Sequence, residues 1–508
     1  MRKRLIVSAA SALSLFLAVP ASASDFQPGA AGVGDPYYPT YGNGGYRVSH
    51  YDIRLKYQPA TDELEGTTTI LATATQDLSR FNLDFALNVS EVRVNGQLAT
   101  FATSGEQELE ITPARPLDKG SQATVVVHYK GVPSTVKKYG FTAWLRTPDG
   151  AVAAGQPESA WWWFPSNDHP SNKATFDVSV LVPDGNQVIS NGILTGTSSQ
   201  AGWTKYSWRE NNPQATYLAT LAVGKFDIST DTTPSGLPVY NAYSKDLGDN
   251  ADAARASVER TGELVDWLSG YFGEYPFSSV GGYVPNVPTD FALETQTRAF
   301  YSPRQFAKGT NDSLVVHELA HQWYGDSVSL SRWSDIWLNE GFTEYAQFLW
   351  SEHENKGTAQ ELADYIYASH PADDPFWTVK PGDPGEENQF SSPVYERGAV
   401  AVQALRNAVG DEKFFQILKG WPTERRYGNA TIPEFQAYAE KVSGQKLGDL
   451  LNTWLFTPSK PAVGPVPAGT AAAASPAPGA DRAEGQLPAE PKSWKKIQET
   501  SSVHEARH

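Results

Sequence analysis

Apolar and polar residues alternate from Tyr51 to Tyr57, in Tyr51-Asp52-Ile53-Arg54-Leu55-Lys56-Tyr57. This is the period-two signature of a half-buried strand. Thr124-Val125-Val126-Val127-His128-Tyr129 and Phe176-Asp177-Val178-Ser179-Val180-Leu181-Val182 predict further strands. Asn95-Gly96 separates Glu91-Val92-Arg93-Val94 from Gln97-Leu98-Ala99-Thr100 and predicts a hairpin turn. Residues 46–224 therefore read as an all-β domain. The period then changes. Val258, Leu264, Val265 and Leu268 fall at helical spacing between Ala251 and Phe272. Helical patterns also start near Ser313, reach about Glu352, and cover Tyr395–Val409 and Asp411–Lys419. With a short sheet expected around 280–302, residues 225–458 read as a mainly α domain. The fold class is thus α+β and multidomain.

Both ends depart from this pattern. Met1-Arg2-Lys3-Arg4, the apolar run Leu5 to Val19 and Ala21-Ser22-Ala23 read as a cleaved signal peptide over 1–23. An uncleaved anchor helix is the alternative. No other stretch approaches the ~18 apolar residues of a membrane span, so none is expected in the mature protein. Residues 24–45, rich in Gly, Pro and Tyr, predict an extended lead-in. Residues 459–508 begin with a Pro/Ala/Gly-rich run and predict a disordered tail, its last stretch from Ser493 being too short to fold alone. A secreted, extracellular protein is expected, acting as a monomer.

Composition narrows the chemistry. The chain has 508 residues, no Cys and a net charge of -16. The acidic balance argues against nucleic acid or anionic membrane as a partner. Without Cys, any metal must be held by His and carboxylates.

His317-Glu318-Leu319-Ala320-His321 supplies such a set. Histidines four apart on a helix lie about 40° apart around the axis, so both imidazoles reach one ion. Nitrogen ligands in this spacing suit zinc, and the intervening Glu318 is placed to act as base on a zinc-activated water. Glu340, in Trp337-Leu338-Asn339-Glu340-Gly341-Phe342, is the candidate third ligand. A buried helix carrying core histidines is the plain alternative.

Together these residues resemble the zinc aminopeptidase family of aminopeptidase N and leukotriene hydrolase, the gluzincin peptidase family M1, here of a secreted bacterial type. The family carries H-E-x-x-H, eighteen residues, then Glu in an N-E-G-F setting, and eighteen residues separate His321 from Glu340. Trp163-Phe164-Pro165-Ser166-Asn167-Asp168-His169-Pro170-Ser171-Asn172-Lys173 resembles its W-F-P-x-x-D-x-P-x-x-K segment. Val394-Tyr395-Glu396-Arg397-Gly398 resembles the segment of its catalytic tyrosine.

The resemblance implies a saddle-like β domain on a thermolysin-like domain, with the cleft between them. It implies one Zn²⁺ per chain, held by His317, His321 and Glu340, with Glu318 and Tyr395 catalytic. Glu294 and Gln156 would bind the free amine of peptide substrates, making the chain a zinc aminopeptidase. Where the family has G-A-M-E-N, this chain has Phe291-Ala292-Leu293-Glu294-Thr295. Phe291 and Leu293 suggest an apolar wall and broad activity on uncharged side chains. The third and fourth domains of larger relatives have no counterpart, which implies a more open cleft. An endopeptidase with the same zinc chemistry and a binding protein on an inactive peptidase scaffold are the rival readings.

Overall fold

The structure, a computed structural model, describes residues 26–138, 140–466 and 487–505. The expected signal peptide lies outside these residues.

The N-terminal domain is built on an eight-stranded sheet. Its order is Ile193–Gln200, Trp203–Gln214, Ala174–Pro183, Tyr46–Gln58, Glu63–Ala74, Gln122–Gly131, Asn88–Val94, Gln97–Leu98. Ala174–Pro183 runs parallel to Tyr46–Gln58; the other neighbours are antiparallel. The alternation has its expected consequence: Tyr51, Ile53, Leu55 and Tyr57 are buried while Arg54 and Lys56 face water. Each such burial contributes about 1.5–3 kcal/mol. Asn95 and Gly96 have φ of 51° and 77°, the pair of positive values that a tight hairpin turn requires.

A smaller sheet, ordered Trp144–Arg146, Ala151–Ala153, Leu221–Gly224, Gln187–Ser190, leads the chain from Ala153 into the loop of Gln156. A third sheet, Phe226–Thr232, Pro238–Ser244, Gly282–Val284 and Ala299–Phe300, opens the second domain. The single helical pattern between Ala251 and Phe272 is in fact two helices, Ala251–Val258 and Thr261–Phe272. The functional helices follow: Asp312–Ala320, Trp337–His353 and Ser392–Val409. The last two are buried on nearly every side, which is why their apolar stripes are faint in the sequence.

The W-F-P segment joins the domains. Asp168 Oδ2 accepts from the amides of Ala160 and Trp161, at 3.1 and 3.4 Å. This pins the loop that continues from Gln156. Lys173 Nζ donates to the carbonyls of Asp326 and Ser327, at 2.6 and 2.9 Å, directly beyond the zinc-motif helix.

Two expectations about the ends change. Residues 26–45 are packed rather than merely extended. Asp35 accepts from the Trp333 amide at 2.8 Å and lies 3.1 Å from His169 Nε2, bridging both domains. Tyr38 and Tyr41 are buried, with stacked rings 4.5 Å apart. The expectation of a disordered tail over 459–508 fails at its end, since Trp494–Glu505 is a helix; residues 467–486 lie outside the described residues. Trp494, Ile497 and Thr500, spaced by three, are buried and form one face against the catalytic domain. Ser493 Oγ lies 2.6 Å from Ser351 Oγ, and Lys308 pairs with Glu499 at 3.1 Å. A segment too short to fold alone is ordered here by tertiary packing. Among the described residues no helix is long and apolar enough to cross a membrane.

Candidate active site

The zinc motif occupies the end of the helix Asp312–Ala320, whose start is capped by Asn311 accepting from the Leu314 amide at 3.2 Å. His321 follows the last helical residue but keeps helical dihedrals, φ -57° and ψ -26°. The two imidazoles therefore stay on one face. His317 Nε2 and His321 Nε2 are 3.2 Å apart. Glu340 Oε2, from the helix Trp337–His353, is 3.4 Å from each. All three side chains are buried.

This triangle fits a zinc ion. Ligand atoms about 2.0–2.1 Å from a tetrahedral zinc are about 3.3–3.4 Å from one another. His321 Nδ1 donates to the Tyr324 carbonyl at 3.1 Å, leaving the Nε2 lone pair for a metal. The electrostatics agree. Burial pushes the Glu340 carboxyl up, but the two histidines outweigh it and hold it well below the usual range. Burial lowers His321, yet Glu340, Glu294 and Glu318 raise it to about 10. Several carboxylates converging on two imidazoles form a pocket that favours a cation.

The remaining candidates converge here. A Glu318 oxygen lies within 4.8 Å of one from Glu294 and of a nitrogen of His321. Tyr395, on the helix Ser392–Val409, is fully buried with its ring centroid 6.1 Å from that of His317. Glu294 Oε1 accepts from Gln156 Nε2 and from the Tyr217 hydroxyl, both at 3.1 Å. Its other oxygen, Oε2, is buried and accepts no hydrogen bond among the described residues. Leu293, read as part of an apolar wall, instead bridges to Phe300 inside the sheet core.

Four supporting residues were not apparent in the sequence. Tyr217 shares Glu294 with Gln156. Gln322 donates to the Glu294 carbonyl at 3.2 Å and accepts from the Thr297 amide at 2.8 Å, tying the Glu294 loop to the zinc motif. Glu344 Oε2 is 3.7 Å from His317 Nδ1, and Gln347 Nε2 is 3.1 Å from the same nitrogen. Glu344 and Gln347 lie four and seven residues after Glu340, on its helix face; that spacing was the available signal.

Residues 47–218 match the Peptidase M1 N-terminal domain, and residues 292–454 match the Peptidase family M1 domain. The chain belongs to peptidase family M1. Among its M1 relatives, the glutamyl aminopeptidase of Sus scrofa is 26% identical over 453 residues, covering 80% of this chain and 46% of that protein. Aminopeptidase M1 of Arabidopsis thaliana is 25% identical over 456 residues, covering 81% and 50%. The chain thus spans about half the length of these curated relatives. A solved M1 zinc metallopeptidase from Deinococcus radiodurans matches at 28% identity and a TM-score of 0.77, over 86% of this chain and 99% of that one. Zinc is the cofactor that this family and the His317–His321–Glu340 donor set together call for.

Proposed function

We propose that this M1 protein is an exported, monomeric zinc aminopeptidase that removes the first residue from peptides with a free amino terminus. The observation that carries the reading is Glu294: a buried carboxylate beside Glu318 and His321, with one oxygen held by Gln156 and Tyr217 and the other unpartnered. That oxygen suits a substrate ammonium, which would set the first peptide bond at the metal site.

His317, His321 and Glu340 would hold the zinc, which supplies a Lewis acid and lowers the pKa of water. Glu318 takes the proton of the attacking water and returns it to the leaving nitrogen. Tyr395 donates a hydrogen bond to the oxygen that gains charge in the transition state. Gln156 orients Glu294 without adding a second negative charge.

Leucine 7-amido-4-methylcoumarin and its N-acetylated form test the reading. The free amine should be hydrolysed and the acetylated form should not. Equal rates would replace the aminopeptidase with an endopeptidase.

A further inference from the structure

A cavity of about 650 Å³ opens beside the amine site, within the ~300–1,000 Å³ typical of ligand pockets. Gln156, the partner of Glu294, forms part of its lining, and Tyr38, Tyr41, Phe141, Trp162 and Phe291 form apolar walls. Its charges do not balance. Lys138 is neutralised by Glu158 at 2.9 Å, and Asp290 by Arg304 at 2.6 Å. Glu386 and Glu387 also line the cavity, are exposed, and have no ion-pair partner among the described residues.

The turn that carries these two carboxylates is fixed. The Gly385 amide donates to the Tyr37 hydroxyl at 2.8 Å, and the Tyr38 hydroxyl donates to Gln389 Oε1 at 2.7 Å. The packed N-terminal segment thus clamps both ends of the Glu386–Asn388 turn at the cavity. Gln156 connects the cavity to Glu294 through its 3.1 Å hydrogen bond, and the buried Oε2 of Glu294, which accepts no hydrogen bond among the described residues, independently marks where a ligand's ammonium belongs.

We infer that this cavity selects peptides whose first residue is arginine or lysine, with the aliphatic stem along the aromatic walls and the cation at Glu386 and Glu387. The inference rests on the aminopeptidase reading and names its substrate class. Long basic side chains pair an apolar stem with a charged head. A guanidinium also stacks on aromatic faces, so arginine should exceed lysine. An acidic side chain meets two like charges. Relatives named glutamyl aminopeptidases make the opposite preference the natural rival.

The test compares kcat/KM for the arginine, leucine and glutamate 7-amido-4-methylcoumarins. It uses the full zinc-loaded protein and the E386Q/E387Q and E387Q variants. Wild type should prefer arginine to glutamate by at least about tenfold, and the double variant should lose about tenfold in its arginine-to-leucine ratio, as expected for two exposed charge contacts. Added salt should erode the wild-type preference. Glutamate cleaved as well as arginine, or a ratio unmoved by both variants, overturns the inference alone. If none of the three amides is cleaved, the aminopeptidase reading fails and takes this inference with it.

Discussion

Gln156 and Glu294 are 138 residues apart in sequence and share a hydrogen bond of 3.1 Å across the two domains. The β domain thereby orients a carboxylate that belongs to the catalytic domain. A hydrogen bond to a charged group is worth about 1.5–3 kcal/mol, so Glu294→Gln should cost about 10²-fold in kcat/KM on free-amine substrates. Gln156→Ala, which leaves the charge, should cost about tenfold or less. Steady-state kinetics on a leucine amide check both; equal losses would contradict the division of roles.

Glu344 lies within reach of the His317 ring nitrogen that faces away from Glu340. Carboxylates in this position orient a metal-binding histidine and typically contribute 10–100-fold in affinity. Glu344→Ala should therefore release zinc to a competing chelator at correspondingly lower chelator concentration. Unchanged zinc retention would show that Gln347 alone holds the ring.

Burial pushes the Asp168 carboxyl up from 3.8 to about 7, with Glu158 adding to the shift and the Trp161 and Ala160 amides opposing it. The folded protein therefore binds more protons at this site than the unfolded chain between these two values. Stability from this group is fully present below about 4 and is lost as pH rises to about 7. Asp168→Asn keeps an acceptor for the two amides and removes the titration. Its melting temperature should gain on the parent between pH 4 and 7 and hold a constant lead above. A pH-independent difference would contradict the assignment.

Ile497, on the inward face of the C-terminal helix, is fully buried. Truncating a core isoleucine to alanine costs about 2–5 kcal/mol. Chemical denaturation of Ile497→Ala should show a loss in that range. No loss would mean the helix is not docked in solution.

How much was legible follows from where each signal resides. The β domain announced itself because half-burial imposes period two, as Tyr51 to Tyr57 show. The two histidines of the zinc site were legible because helix geometry turns a four-residue spacing into one face, while Glu340, on another helix, was tied to them by the eighteen-residue gap of the family pattern. Glu294, Gln156 and Tyr395 came only through family resemblance, since nothing local marks them. Tyr217 and Gln322 act through contacts set by the tertiary fold, and no spacing rule points to Tyr217. The roles of Tyr37, Tyr38 and Asp35 were hidden in a Gly- and Pro-rich stretch with no periodicity, and the docked helix after residue 493 followed a run whose composition reads as disordered. In both cases the order comes from tertiary packing rather than from the segment itself, on both domains for the first and on the catalytic domain for the second.

The most direct measurement is the identity of the first product from an unstructured hexapeptide, read by mass spectrometry, with Glu318→Gln as background. The account expects stepwise loss of single residues from the free amino end, no cleavage of the N-acetylated peptide, and a rate about 10²–10⁴-fold lower in the variant, as for loss of a general base. Internal fragments, or cleavage of the acetylated peptide, would contradict it.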